Sequence, residues 1–371
     1  MIIYIIAITL SMIWAAYAYN VKGIIQLKST YRTLCVLAFI PMTFVSVFRY
    51  KVGTDWSIYH DYFHWISEGK DKFSEPLFNL LNRVIYFFTT DSWWLFAICA
   101  FLICYFMFRA FMEQSVNPAL SILIFVLSGD YFNSQNQIRQ ALAMAIFMYA
   151  MKYIKERNAK KYFLFIIIAM CIHLSAAIYI PLYFVYGFSL NVRLLGTIYV
   201  AVAALMPVIN KVLVFLISKT KYNWYFGSRY DMNNFHLLGF LVTSFYLILI
   251  LFYYHYGKKN SVKAADLNEE KKAGEKVTVE DYEYNVMAYT YFFAALSVLF
   301  SASIPQMVRI TTALSYVSSL LVPRLIVREN KRNRRIVLYI LVVFVFGVKL
   351  LYDVYHNGWY GAIPYQWVFF R

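Results

Sequence analysis

The chain has 371 residues, of which 61% are hydrophobic and 20% aromatic, and its mean hydropathy is +0.56. These values exclude a water-soluble domain and are typical of a polytopic membrane protein. The formal charge of +16 does not indicate nucleic acid as a partner, because membrane proteins accumulate Lys and Arg on their cytoplasmic loops. The four cysteines lie in apolar runs without paired spacing, so they predict neither a disulfide framework nor a metal site.

The apolar runs predict an all-α polytopic integral membrane protein, with residues 1–371 forming a single domain of about ten full transmembrane helices. The predicted spans are 2–19, 33–48, 92–112, 118–132, 137–154, 194–217, 235–257, 285–303, 310–327 and 336–352.

Two further apolar segments are predicted not to cross the membrane. Residues 76–90 carry Asn79, Asn82 and Arg83 along one face, which favours an interfacial helix. Residues 161–188 are too long for one straight crossing and are interrupted near His173 and at Pro181. This pattern predicts a broken, membrane-buried hairpin, which is tolerated only where it lines a cavity enclosed by protein.

The charges of the loops then fix an orientation. With those two segments making no net crossing, 22 of the 35 Lys and Arg residues fall on one side of the membrane. The positive-inside rule makes that side cytoplasmic and places both termini outside. The polar segment 258–284, with charges of both signs, is predicted to be a flexible cytoplasmic loop, and residues 49–91 are predicted to be an outer loop with interfacial helices.

Four arginines stand at the outer ends of predicted spans or on outer loops, against this charge bias. They are Arg49, Arg139, Arg229 and Arg309. A guanidinium binds phosphate oxygens through paired donors and stays charged at any working pH. Together they predict an anion site on the outer face, with a pyrophosphate as the candidate ligand. The alternative is salt bridging to the acids nearest in sequence, namely Asp55, Asp130 and Asp231.

Asp55 and His173 are the candidate proton acceptors. Asp55 ends the turn Val52-Gly53-Thr54-Asp55, close to Lys51, and is either a catalytic carboxylate or the N-cap of a helix from 56 to 66. His173 is either a packing residue of the hairpin or a general base, since imidazole titrates near neutrality. No acid accompanies His173 locally, so a Ser-His-acid triad has no support in the sequence.

A third pattern, His60-Asp61-Tyr62-Phe63-His64, is similar to the H-E-x-x-H motif of zinc proteases. The Asp is one carbon shorter than the usual Glu, and no third ligand is evident. A metalloprotease is therefore disfavoured, and no metal is expected.

The pattern R-x-x-V-G-T-D-x-x-x-Y at Arg49 to Tyr59 resembles the EpsG family of bacterial membrane proteins. So do E-P-L-F starting at Glu75, N-Q-I-R-Q-A-L-A starting at Asn136 and H-L-S-A starting at His173. The likeness covers nearly the whole chain in order and spacing. Trp56 is a mild departure, since Tyr is more often expected there.

The resemblance implies a Wzy-like polymerase of exopolysaccharide, capsule or O-antigen repeat units carried on undecaprenyl diphosphate. It implies glycosyl transfer at the outer face of the bacterial inner membrane, without nucleotide sugar, metal or other cofactor. The expected partners are the lipid-linked oligosaccharide donor and acceptor, the bilayer, and a chain-length regulator and flippase of the same pathway. An oligosaccharide ligase and a repeat-unit flippase are the alternatives, and scant polarity near the cytoplasmic face disfavours the flippase.

The expected site combines these residues. Asp55 is the preferred base, and His173 is expected to orient the acceptor or to meet a phosphate. The predicted substrate-binding residues are Arg49, Lys51, Tyr59, Arg139, Gln140, Arg229 and Arg309.

Overall fold

The computed structural model describes residues 1–70, 74–220, 223, 237–266, 279–301, 304, 307–329, 331–356, 358 and 361–371. Within these ranges the regular elements are helices, and the only extended pairing is one antiparallel bridge between Arg49 and Trp367. The chain divides into two compact units. The first contains Met1–Tyr183, Val322–Arg324 and Ile340–Arg371, and the second contains Phe184–Leu321 and Leu325–Tyr339.

Nine α-helices belong to the first unit in the part of the chain that is described. They are α1 Ile2–Val21, α2 Lys28–Val47, α3 Trp56–Ser67, α4 Pro76–Phe88, α5 Trp93–Gln114, α6 Pro118–Leu127, α7 Asp130–Asn136, α8 Ile138–Lys155 and α9 Ala159–Ile172. The second unit contains α10 Val192–Ser218, α11 Leu237–Asp266, α12 Val279–Leu299 and α13 Met307–Ser315. A 3₁₀ helix, Leu174–Gly187, and the helices α14, Ser318–Val327, and α15, Arg332–Leu351, contribute residues to both units.

Six described helices are long and apolar enough to cross a membrane, and they comprise all or most of α1, α2, α5, α10, α11 and α15. The pair α13 and α14, bent by 44° at a short break, would make a seventh. The protein is therefore a helical membrane protein, but ten full spans are not confirmed.

Three predicted segments differ from the structure, and the differences in the two predicted spans have local causes. The expected span 118–132 is not one helix, because Gly129 adopts a φ of +88° between α6 and α7. The expected span 137–154 is helical as α8, but Arg139, Lys152 and Lys155 make it less apolar than a membrane span. Of the expected loop 258–284, the residues up to Asp266 and from Val279 onward are helical, and 267–278 lie outside the described residues.

Cations gather around the last turn of α5 in the first unit. Lys22 donates to the carbonyl oxygen of Met112 at 2.6 Å, and Arg324 donates to that of Gln114 at 2.9 Å. Lys152 lies 2.7 Å from the carboxylate of Glu113. These cations satisfy carbonyls that a helix end leaves open, and they complement its negative dipole end. Segments that contain Lys22, Gln114, Lys152 and Arg324 thus meet at this end of the first unit, which we name the basic end.

The turn Val52-Gly53-Thr54-Asp55 and the polar helix α7 meet at the opposite end of the same unit. Tyr131 of α7 donates to the carbonyl oxygen of Met42 near the end of α2, and Tyr4 at the start of α1 reaches Gln135. Arg139 in the first turn of α8 lies here, whereas Lys152 in the last turns of α8 lies at the basic end. At 1.5 Å per residue the two are about 20 Å apart. We name this second region the motif end.

Helix α4 lies across the motif end. Glu75, directly before it, pairs with Arg139, and Trp93, soon after it, donates to the carbonyl oxygen of Val47 at 3.2 Å. Both ends of α4 are therefore at the same end of the unit, as expected of an interfacial helix. Asn82 is fully buried, whereas Phe87 and Phe88 are 83% and 79% exposed. The polar face predicted for residues 76–90 thus points largely into the protein.

The hairpin predicted within 161–188 is present. Helix α9 ends at Ile172, His173 is extended, and the 3₁₀ helix folds back so that the hydroxyl of Tyr162 donates to the carbonyl oxygen of Tyr179 at 2.6 Å. Pro181 does not interrupt the 3₁₀ helix. Three of its four buried residues, Ala176, Tyr179 and Leu182, are three apart, as a turn of three residues predicts. His173 forms the tip of the hairpin.

The two ends predict a labelling pattern. In a background without the native cysteines, we expect Ser57→Cys to react with an impermeant maleimide in intact spheroplasts. Glu156→Cys should react only after the membrane is permeabilised, because both positions are exposed but lie at opposite ends. Equal labelling of both in intact spheroplasts would contradict the two-ended arrangement, and the reverse pattern would invert the orientation.

Candidate functional site at the motif end

The turn after α2 is built onto α7. The amide oxygen of Asn136 accepts hydrogen bonds from the Thr54 hydroxyl at 3.1 Å and from the backbone N–H of Asp55 at 2.7 Å. Gly53 has a φ of +110°, and a Cβ there would stand 2.9 Å from the carbonyl oxygen of Gln135. Only glycine meets both demands. The two sequence motifs that contain these residues are therefore one structural piece.

Arg49 is committed to the backbone. It is 2% exposed, and its guanidinium donates to the carbonyl oxygens of Ser46 and Gln135. The predicted contact of Arg49 with substrate has no support in this geometry.

The C-terminal segment pairs with the chain on both sides of Arg49. The backbone N–H of Tyr50 donates to Gln366 at 2.8 Å, and that of Val368 donates to Phe48 at 3.0 Å. The hydroxyl of Tyr4 donates to the carbonyl oxygen of Ala362 at 3.2 Å. The start and the late part of the chain thus meet at the motif end.

Lys51 is exposed and presents its charge beside aromatic rings. Its Nζ lies 5.4 Å from the ring centre of Tyr50 and 5.7 Å from that of Trp56. The Trp56 ring is parallel to those of His60 and Phe96, within 12° and 14°. Lys51 has a φ of +52°, which is uncommon for a residue with a side chain. Among the predicted cations of this turn, Lys51 is the one turned outward.

Asp55 stands at the N-cap position of α3 and is partly exposed, but its side chain makes no capping hydrogen bond. The alternative interpretation of Asp55 as a side-chain cap is therefore not realised. One turn further along α3, Tyr59 is buried, and Arg139 lies 6.0 Å from the centre of its ring. This contact links the turn to the first residues of α8.

Arg139 pairs with an acid that sequence proximity did not suggest. Its Nη1 lies 3.1 Å from Oε2 of Glu75, which is 64 residues away, and its guanidinium is 5.5 Å from the ring centre of Phe78. The predicted salt-bridge partners were Asp55, Asp130 and Asp231, so the type of interaction was foreseen and the partner was not. Gln140, the next residue, is buried.

Glu75 also reaches the tip of the hairpin. Its Oε1 lies 3.6 Å from Nδ1 of His173 and accepts a hydrogen bond from the backbone N–H of Leu174 at 3.3 Å. No acid lies near His173 in the sequence, but the fold brings Glu75 next to it. Glu75 was not predicted as a site residue. The available signal was a charged residue directly before the proline that starts an otherwise apolar helix.

The other predicted residues lie elsewhere. Arg229 is outside the described residues, and Arg309 belongs to α13 in the second unit. His60 Nδ1 is 2.6 Å from the hydroxyl of Ser92, and partial burial and the neighbouring His64 lower the pKa of His60. No group of three His, Cys, Asp or Glu side chains with metal-binding geometry occurs in the part of the chain that is described.

Gly53→Ala tests the docking of the turn on α7. We expect it to destabilise the protein by about 1–3 kcal/mol, because a left-handed φ and a clash with the Gln135 carbonyl act together. The measurement is the melting temperature in detergent. Gly69→Ala is the matched control, since Gly69 also has a positive φ, +75°, but has no atom within 4 Å of the added Cβ. Equal losses for both variants would show that contact with α7 contributes nothing.

A family model described as EpsG family matches residues 32–367. The match contains the turn at Gly53 and the cluster of Glu75, Arg139 and His173. No curated protein and no solved structure matches the chain. Because the family model covers nearly the whole sequence, the chain belongs to the EpsG family.

Proposed function

We propose that the protein polymerises oligosaccharide repeat units carried on undecaprenyl diphosphate, at the outer face of the bacterial inner membrane. Membership of the EpsG family indicates a polysaccharide polymerase-like membrane protein with glycosyl transfer as its chemistry. The observation that carries the finer proposal is the cluster at the motif end. There a guanidinium, a carboxylate and an imidazole from three distant segments converge.

The cluster lies where a lipid-linked donor would present its headgroup. The basic loops gather at the other end of the first unit, so the positive-inside rule favours an outer position for the motif end. The diphosphate of a polyprenyl carrier lies at the membrane surface. A donor in the outer leaflet would therefore bring its scissile bond to the depth of Arg139 and the hairpin tip.

Transfer needs a cation to stabilise the leaving diphosphate. Arg139 suits this role because a guanidinium presents planar N–H donors that match phosphate oxygens and stays charged at any working pH. Lys51, exposed on the neighbouring turn, supplies a second positive charge. Arg229 and Arg309 remain in the proposal as further phosphate ligands on sequence grounds, and Tyr59 and Gln140 as residues that support the bound sugar or Arg139.

Transfer also needs a group that removes the proton of the acceptor hydroxyl. Asp55 and His173 are the two candidates that belong to the motif end. Either would form a neutral or cationic acid after taking the proton, and neither requires a metal ion.

Glycan analysis of a deletion strain and assay of the purified protein test the function. A polymerase should leave single repeat units at the surface when it is deleted, and the purified protein should lengthen lipid-linked repeat units supplied as both donor and acceptor. Full-length glycan left on the lipid carrier would indicate the ligase instead. Loss of every surface unit would indicate the flippase.

Arg139→Lys tests the role of the guanidinium. Lysine keeps the charge but loses the planar pair of donors, so we expect polymerisation to fall about 10–100-fold at normal expression. Arg109→Lys is the matched control. Arg109 also pairs with a carboxylate, Glu113, and also faces two aromatic rings, but at the basic end. If both variants keep wild-type activity, Arg139 does not bind the diphosphate through paired donors.

A further inference from the structure

Glu75 is placed to do more than close a salt bridge. It is buried and directly precedes α4, and its side chain makes no capping hydrogen bond to that helix. Instead one carboxylate oxygen meets Arg139, and the other meets both Nδ1 of His173 and the N–H of Leu174. A buried carboxylate is retained at a cost unless such partners compensate for its lost hydration.

The geometry at the hairpin tip favours one nitrogen of His173 as the basic one. The 3.6 Å separation between Glu75 and Nδ1 is an ion-pair distance, longer than a hydrogen bond. A carboxylate on that side favours the tautomer with the proton on Nδ1, so Nε2 is the nitrogen able to take a proton. The same negative charge stabilises the imidazolium that forms when it does. The hydrogen bond from Leu174 fixes the backbone that carries the ring.

We propose that Glu75 is the positioning residue that makes His173 the general base of the transfer, an assignment that rests on the function proposed above. The acceptor oxygen forms a bond to the anomeric carbon, while the bond from that carbon to the diphosphate oxygen breaks. The acceptor proton passes to Nε2 of His173 and is then lost to water, and the bonding electrons leave with the diphosphate beside Arg139. This assigns the proton to His173, where sequence favoured Asp55.

The two contacts of the Glu75 carboxylate distinguish a positioning role from a purely structural one. The same carboxylate holds the cation for the leaving group and the base for the acceptor, so it sets the spacing between the two reacting ends. A residue that served only the fold would alter stability. Glu75 should alter the rate of the chemical step, because its effect on the reaction passes through the tautomer and charge of His173.

Single-turnover polymerisation with purified lipid-linked repeat units tests the assignment. We expect Glu75→Gln to lower the chemical rate about 100-fold or more, the range of general-base catalysis, with donor affinity changed less than about threefold. Glutamine keeps the size of the side chain and an oxygen acceptor, but it loses the charge and favours the wrong tautomer. Glu75→Asp keeps the charge and should recover at least about tenfold of the lost rate.

A double-mutant comparison makes the test independent of general damage. His173→Gln should lose as much rate as the variant that combines it with Glu75→Gln, because two residues that act as one unit are not additive. Glu113→Gln is the control. Glu113 also bridges two cations, Arg109 and Lys152, but at the basic end, so its loss should leave the rate unchanged.

Three results would overturn the assignment. The first is a normal rate in Glu75→Gln, and the second is independent, multiplying losses from the Glu75 and His173 substitutions. The third is weakened donor affinity with a normal rate at saturation, which would mean that Glu75 acts through Arg139 alone. In each of these the wild-type protein still lengthens the glycan. If the wild-type protein does not lengthen it, the polymerase function fails, and the assignment falls with it.

Discussion

Buried backbone that is not helical must find hydrogen-bond partners inside the protein, and this demand shapes the motif end. The turn at Asp55 is satisfied by Asn136, and the hairpin tip at Leu174 is satisfied by Glu75. The extended residue Tyr50 is satisfied by Gln366. Each partner comes from a distant part of the chain. The irregular segments that bring chemistry together therefore also tie the first unit together.

The need to satisfy buried backbone also gives two arginines of this unit different roles. Arg49 donates from its guanidinium to one backbone carbonyl at the end of α2 and to one at the end of α7, positions that a helix cannot satisfy by itself. Arg139 meets a carboxylate and two aromatic rings instead, and it stays beside the hairpin tip. Glu75 has both roles, since its carboxylate accepts a hydrogen bond from the backbone N–H of Leu174 and also contacts the side chains of Arg139 and His173. In this unit, structure and candidate chemistry share side chains.

Features encoded locally were predictable. Hydropathy indicated a membrane protein, the interruption at His173 indicated the hairpin, and charge grouped the basic loops that meet around α5. One predicted span, 118–132, is not a single helix because the backbone angle at Gly129 divides an apolar run that looks continuous. The pairing of Glu75 with His173, and the burial of Arg49, depend on contacts between distant segments. Neither composition nor spacing near those residues contains that information.

The pairing of residues 366–368 with 48–50 has a consequence for how the protein is made. Residues 48–50 emerge early in synthesis, whereas their hydrogen-bond partners emerge more than 300 residues later. The helices from α3 to α15 are therefore synthesised before this pairing can form. Contacts of such long sequence separation form slowly. The pairing around Arg49 is therefore a late contact in the folding of the first unit.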